Sequence, residues 1–271
     1  MRLSDVGELG LLRELEQRGL AREIADDVAQ VGGLVVTQDA LVEDVHFRLD
    51  RITWRDLGWR AAAVNLSDLA AAGADPLALL VTLAAPGHVR LDDVLELYEG
   101  IAETGVAVAG GDTTAANAVT LAVTALGRSP RVPGRSGARP GDAVVVTGEF
   151  GAAGAAFRRG ANRRPPLRLA EGRELAATAS AMVDVSDGLA VDAAHVAQRS
   201  GCRIAIELER VPLAEGAEPV DLGFGEDYEL LAAIAEPGRF AVIGRCEEGS
   251  GVELRHHGEP VDLGGWEHFS K

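Results

Sequence analysis

Apolar and polar positions along the chain switch between two rhythms, and the switches divide it into alternating strands and helices. The β-branched run GLVVT (33–37) has the character of a short strand. TWRD then opens a helix, with Thr53 suited to the N-cap and Asp56 three residues on. Small and apolar residues carry that helix to about Ala72, where Gly73 suits its C-terminal cap. A second helix is expected over LDDVLELYEGIAETG (91–105), ending at Gly105. VAVAGG (106–111), VTLAVTALG (119–127) and GDAVVVTG (141–148) read as strands, and AAGAAF (152–157) as helical. MVDVS (182–186) predicts a strand, GLAVDAAHVAQRSG (188–201) a helix and CRIAIELE (202–209) a strand. YELLAAIA (228–235) and FAVIGRC (240–246) close the series. The most apolar stretch (61–86) is interrupted by Asn65, Asp68, Asp75 and Pro76, so it is not expected to span a membrane.

The segment GRSPRVPGRSGARPGD (127–142), rich in Pro, Gly and Arg, marks the best domain boundary. It predicts two α/β or α+β halves, 1–130 and 131–271, and RRGANRRPPLRLAEGR (158–173) reads as a surface loop. With 271 residues, 47% of them hydrophobic, each half can bury a core. The net charge of −16 argues against nucleic acid and anionic membranes as partners. It leaves room for a phosphorylated substrate, because metal ions bridge carboxylates to phosphates. Lys271 is the sole lysine, which excludes a P-loop, a protein-kinase strand lysine and a Schiff base. Cys202 and Cys246 form no C-x-x-C pattern and read as reduced cytosolic cysteines. The charged stretch MRLSDVGELG lacks the apolar run of a secretory signal.

The acidic residues change the picture most. Asp26 and Asp27, Asp39, Asp68, Asp112, Asp184 and Asp187 recur at strand ends or on a helix face, beside apolar or glycine neighbours. Asn65 and Asp68 share a helix face, and Asp184 and Ser186 point the same way along a strand. Carboxylates near a core are costly unless paired or metal-bound, and few basic residues stand beside them. Taken singly, each also suits a cap, a turn or a solvated position; Asp187 before Gly188 would cap a helix. Taken together, they suit hard divalent cations such as Mg²⁺, whose shell substrate phosphates complete. GGDTT (110–114) lets backbone N–H groups approach an anion, and Arg135 or Arg139 could clamp a phosphate. In GFGEDYELL, Glu226 can face a cationic ligand group, and Trp266 can stack on a flat one. His46 is either a site residue or an ordinary histidine, while His256 and His257 read as surface residues.

Read together, ADDVAQV, VVTQDALVEDVHF, LGWRAAAVNLSDLAAAGADP, VAGGDTT, GRSGARPGD, VDVSDGLAVDAAHVA and GFGEDYELL, in this order, closely resemble the thiamine-monophosphate kinase family. That family belongs to the aminoimidazole ribonucleotide synthetase and selenophosphate synthetase superfamily. The resemblance implies an N-terminal α/β domain whose sheet forms a homodimer interface, and a C-terminal α+β domain. ATP and several Mg²⁺ ions would lie in the cleft, with thiamine monophosphate as acceptor and thiamine diphosphate as product, in the cytoplasm. By the resemblance, Asp27, Thr37, Gln38, Asp39, Asp68, Asp112, Asp184 and Asp187 match metal ligands. Gly111, Asp112, Arg135 and Ser186 match nucleotide contacts, and His46, Glu226 and Trp266 match acceptor contacts. Asp192 is left a structural role.

This sequence departs from the family pattern at Ala25 (usually glycine), Gln38 (usually a small hydroxyl residue) and Phe224 (usually glycine). Residues 157–167 compress a longer segment. Two alternatives stand beside this reading: a superfamily enzyme with another small acceptor, and a nucleotide-binding protein without catalysis.

Overall fold

The computed structural model of the chain describes residues 2–21, 24 and 26–266; Ala25 and Lys271 lie outside them. After α1 (Leu3–Gln17) the first half lays down β1 (Ala29–Val31), β2 (Leu34–Val42), α2 (Trp54–Ala71), β3 (Asp75–Ala85), α3 (Leu91–Ala102), β4 (Val108–Ala115) and β5 (Thr120–Arg128). Its strands order as β1-β2-β5-β3-β4; all pairs are antiparallel except β3–β4, which α3 connects in parallel. The second half follows with β6 (Ala143–Val146), α4 (Ala152–Arg158), α5 (Leu169–Ala176), β7 (Ala181–Asp184), α6 (Leu189–Ser200), β8 (Arg203–Glu207), β9 (Leu230–Ile234), β10 (Ala241–Glu247), β11 (Gly251–His256) and β12 (Glu259–Val261). They form a seven-stranded sheet, β12-β11-β8-β10-β6-β9-β7, in which only β11–β8 is parallel.

Helix α2 is the spine. Thr53 caps it, its hydroxyl accepting the Asp56 N–H at 3.0 Å. Nearly every side chain from Leu57 to Ala71 is buried, because β2 and β5, α3, α5 and β7 all pack along it. A helix surrounded in this way carries no polar stripe, and small residues let its neighbours approach closely. At α3 the approach is backbone to backbone: a Cβ on Gly58 would lie 1.9 Å from the Leu97 carbonyl oxygen, and one on Gly100 1.9 Å from that of Arg55. Leu57, Leu66 and Leu69 fill the first core with Leu79, Val81, Leu121 and Val123. Ala70 and Ala71 reach a second cluster with Val145, Leu175, Met182 and Leu230, so one helix joins both halves.

Helices pack on one face of the first sheet. On the other, Ala122, Thr124 and Leu126 are only half-buried and Leu80 is exposed, and all of β4 is exposed. Four details differ from the sequence reading. The apolar stretch after Gly73 forms β3, whose unbroken apolar run has no strand periodicity to read. Helix α5 forms inside the expected surface loop. GGDTT lies within β4 rather than after a strand. Strand β7 stops at Asp184, so Ser186 sits in the following turn and shares no strand face with it. Among the described residues no helix is long and apolar enough to cross a membrane.

Candidate active site

A cavity of about 880 Å³ is walled by residues of both halves. At one end the carboxylate oxygens of Asp27, Asp68 and Asp184 lie within 4.8 Å of one another. Strand β2 and helix α2 build this cluster between them. Thr37 and Asp39 alternate with Gln38 along the strand, so the first two turn towards α2. The Thr37 hydroxyl donates to Asp68 at 2.6 Å, and the Asp39 N–H donates to the Asn65 side chain at 2.9 Å. Asn65 and Asp68, one turn apart, therefore serve the same strand, as their spacing predicts. Ser67 faces the second half and donates to Asp184 at 2.6 Å. Arg135, from the segment between the sheets, grips Asp27 with its Nε at 2.9 Å.

Burial governs the protonation of these groups. It pushes Asp184 up to about 8, aided by the charge on Asp27, and Asp39 up to about 6, again with Asp27. Asp68 is driven well above the usual carboxylate range by burial, then by Asp39, Asp184 and Asp27. Asp27 is raised as well, burial outweighing the Arg135 guanidinium. These carboxylates crowd together with too few protein cations to balance them, and every donor is a hard oxygen. Mg²⁺ fits that set.

A carboxyl whose folded pKa is raised holds more protons folded than unfolded between about 4 and 8, so metal-free stability falls as pH rises through that window. A cation needs the deprotonated form. Mg²⁺ is therefore expected to raise the melting temperature, and by more at pH 8.5 than at pH 6. Melting curves with and without Mg²⁺ across this range test it; an increment that ignores pH would remove the carboxylates as the binding site.

Ser186 and Asp187 occupy the turn after β7 and line the cavity. The cap of α6 comes from a different residue than the sequence suggests. Gly188 holds the N-cap position, and the buried Asp192 carboxylate accepts the N–H groups of Asp187 at 2.9 Å and Gly188 at 3.1 Å. The GFGEDY loop is laced to the same turn: Glu226 N–H donates to the Ser186 carbonyl and Tyr228 N–H to that of Val185, both at 2.8 Å. Glu226 (φ 60°) and Tyr228 (φ 51°) hold left-handed backbone that side chains rarely adopt, a strain found at functional sites. Trp266 N–H donates to the Asp187 carbonyl at 2.9 Å.

His46, Glu226 and Trp266 line the cavity together with Phe47, Phe157 and Phe224. His46 Nδ1 accepts the Val42 N–H at 3.0 Å, and Trp266 is 46% exposed. Phe224, one of the departures from the family pattern, packs its ring 5.0 Å from that of Phe157. Arg60 belongs to the wall and went unnoticed in the sequence; it pairs with Glu226. Its signal was there, an arginine inside an alanine-rich buried helix, one face-repeat from Val64 and two from Asp68. Gln38 is exposed and touches the cavity. Gly111 and Asp112 sit on the exposed strand β4 and do not line the cavity of this chain. Nor does Arg139, whose N–H bonds to Asp142 at 3.0 Å.

The two halves each have a counterpart. Residues 24–129 match the AIR synthase related protein N-terminal domain, and 139–257 match its C-terminal domain. Fold and acidic cavity thus define a two-domain protein of the AIR synthase-related class, α/β in the first domain and α+β in the second. Thiamine-monophosphate kinase of Aquifex aeolicus is 32% identical over 99% of this chain and 100% of its own. That of Halobacterium salinarum is 36% identical over 92% of this chain and 96% of its own. A solved structure described as "AaThiL complexed with AMPPCP and TMP" aligns with a TM-score of 0.90 at 33% identity, covering 99% of each chain. The chain belongs to the thiamine-monophosphate kinase family.

Proposed function

We propose that this protein transfers the γ-phosphoryl group of ATP to the phosphate of thiamine monophosphate, giving thiamine diphosphate and ADP. One observation carries the reading: a single cavity joins a crowded oxygen-donor cluster to a wall of Glu226, His46 and Trp266. The relative solved with AMPPCP, an ATP analogue, and TMP supports the same pair of substrates. Asp27, Thr37, Asp39, Asp68, Asp184 and Asp187 would hold Mg²⁺, with an oxygen of Gln38 beside them. When bound, Mg²⁺ neutralises the phosphate oxygens and so supplies what a P-loop lysine supplies elsewhere.

The chain's own residues bind and orient. Arg135 and Ser186 contact the nucleotide from the segment between the sheets and from the turn after β7. Trp266 stacks on the flat cationic thiazolium while Glu226 and His46 hold the acceptor from the side. No residue needs to act as general base, because the acceptor phosphate is already an anion at neutral pH. Catalysis then rests on alignment.

The open face of the first sheet suits a second copy of the chain, giving a homodimer in the cytoplasm. Its exposed β4 would offer Gly111 and Asp112 to the partner's nucleotide. The division near residue 130 would separate the dimer-forming domain from the second domain.

The test is a steady-state assay of ADP and thiamine diphosphate with and without Mg²⁺. Mg²⁺-dependent formation of both in equal amounts is expected; ATP binding without thiamine diphosphate would overturn the reading in favour of another acceptor or of no catalysis. Trp266→Ala is expected to raise KM for thiamine monophosphate about tenfold, the equivalent of roughly 1–2 kcal/mol of stacking, and to leave KM for ATP unchanged. An equal loss for both substrates would contradict the stacking role.

A further inference from the structure

Arg60 is 7% exposed, in a helix whose other buried residues are almost all small or apolar. A buried guanidinium is expensive to keep unless its hydrogen-bonding groups are met. One of its terminal nitrogens donates to Glu226 Oε1, while its Nε is buried without a partner. Glu226 is similarly half-used. Its side chain remains 35% exposed, it lines the cavity, and no other cation of the described residues pairs with it. Its backbone is pinned in the left-handed region by the bond to Ser186, so the carboxylate has a fixed origin.

Arg60 and Glu226 both line the cavity, so a guanidinium and a carboxylate lie side by side in one wall, the carboxylate the more open of the two. The face of α2 that carries Arg60 also carries Val64 and Asp68. Arg60 and Asp68 are eight positions apart, a rise of about 12 Å, so Arg60 leaves the helix well away from the Asp68 end. Thiamine monophosphate, extended, has its phosphate at one end and an aminopyrimidine at the other. The edge of that ring offers an amino donor next to a ring-nitrogen acceptor, the complement of a carboxylate beside a guanidinium.

We propose that Arg60 and Glu226 together read the aminopyrimidine edge of the acceptor, the amino group donating to Glu226 and the adjacent ring nitrogen accepting from Arg60. This inference rests on thiamine monophosphate being the acceptor. It makes Arg60 a specificity-determining residue, and it gives the ion pair a purpose beyond holding α2 to the GFGEDY loop. A site built to hydrogen-bond a substrate group strongly rejects analogues that lack it, because its buried polar groups are then left unpaired.

Oxythiamine monophosphate carries an oxo group in place of the amino group, which reverses donor and acceptor along the edge. Wild-type protein is expected to prefer thiamine monophosphate over it by about 100-fold or more in kcat/KM. R60M is expected to raise KM for thiamine monophosphate at least tenfold, leave KM for ATP unchanged, and reduce the preference to within about tenfold. R60K, which keeps the charge on a single donor nitrogen, recovers part of the affinity.

E226Q offers the same test without touching α2: its amide can donate to the oxo group, so the preference shifts towards oxythiamine monophosphate. Melting curves of each variant show whether it folds, and E226Q decides if R60M does not. The proposal is overturned if a folded R60M or E226Q loses activity equally on both acceptors, or if KM for ATP rises in step. Absence of thiamine diphosphate with the wild-type protein would be a different failure, that of the acceptor assignment, and would take this inference with it.

Discussion

Asp68→Asn is expected to lower kcat by about 10²–10³-fold or more and, in the absence of Mg²⁺, to raise the melting temperature. The two effects have one cause. Asp68 stands at the centre of the cluster, and burial together with Asp39, Asp184 and Asp27 resists its ionisation. In the metal-free protein that charge is a burden. An asparagine fills the same volume, still accepts the Thr37 hydroxyl, and removes the repulsion. On the proposed reading the same charge is a metal ligand in the loaded protein, and its loss would remove an anionic oxygen from the site that aligns the phosphates. Melting with and without Mg²⁺ beside turnover separates the two. A variant that melts lower without Mg²⁺ while keeping full turnover would show Asp68 to be a structural residue, and the metal assignment would have to move.

The largest expected loss of stability lies away from the cavity, at Gly58. A valine there has nowhere to go: the first side-chain atom would meet the Leu97 carbonyl oxygen at 1.9 Å, and the obstacle is backbone. Relief requires α2 and α3 to separate, and Gly100 shows that the contact is equally close from the other side. Separation would open the core around Leu57, Leu97 and Ile101, all fully buried. Gly58→Val is expected to destabilise by about 3 kcal/mol, or roughly 6–12 °C in melting temperature for a chain of this size. Chemical denaturation checks it; a loss below about 1 kcal/mol would mean the helices are free to slide.

Part of this architecture could be read from residue patterns. Thr53 with Asp56 and the apolar run to Gly73 specify α2 locally, so its start and end are legible. Asn65 and Asp68 share a face by helical spacing alone, and both do contact β2. Other features depend on partners distant in sequence. Strand β3 has no alternation because its register follows from β5 and β4 on either side. Asp192 caps α6 from inside the first turn, where a residue before the helix was the natural candidate. Arg60 stands out in sequence only as an arginine among alanines; its partner Glu226 lies 166 positions away. Asp112 and Gly111 look like their companions in sequence, yet the fold sets them on an outer strand.

The buried helix α2 acts as a ruler. It fixes the separation between Arg60 and Asp68, because both grow from one rigid rod. A one-residue insertion between positions 60 and 68 would turn one end by about 100° relative to the other, so it would take Arg60 and Asp68 off their common face. New acceptors of the same span can arise by exchanging side chains at either end, whereas a longer or shorter acceptor would demand a different scaffold. Variation along this lineage should therefore gather in the loops around Phe157 and Phe224, where the cavity wall can be recut without moving the scale.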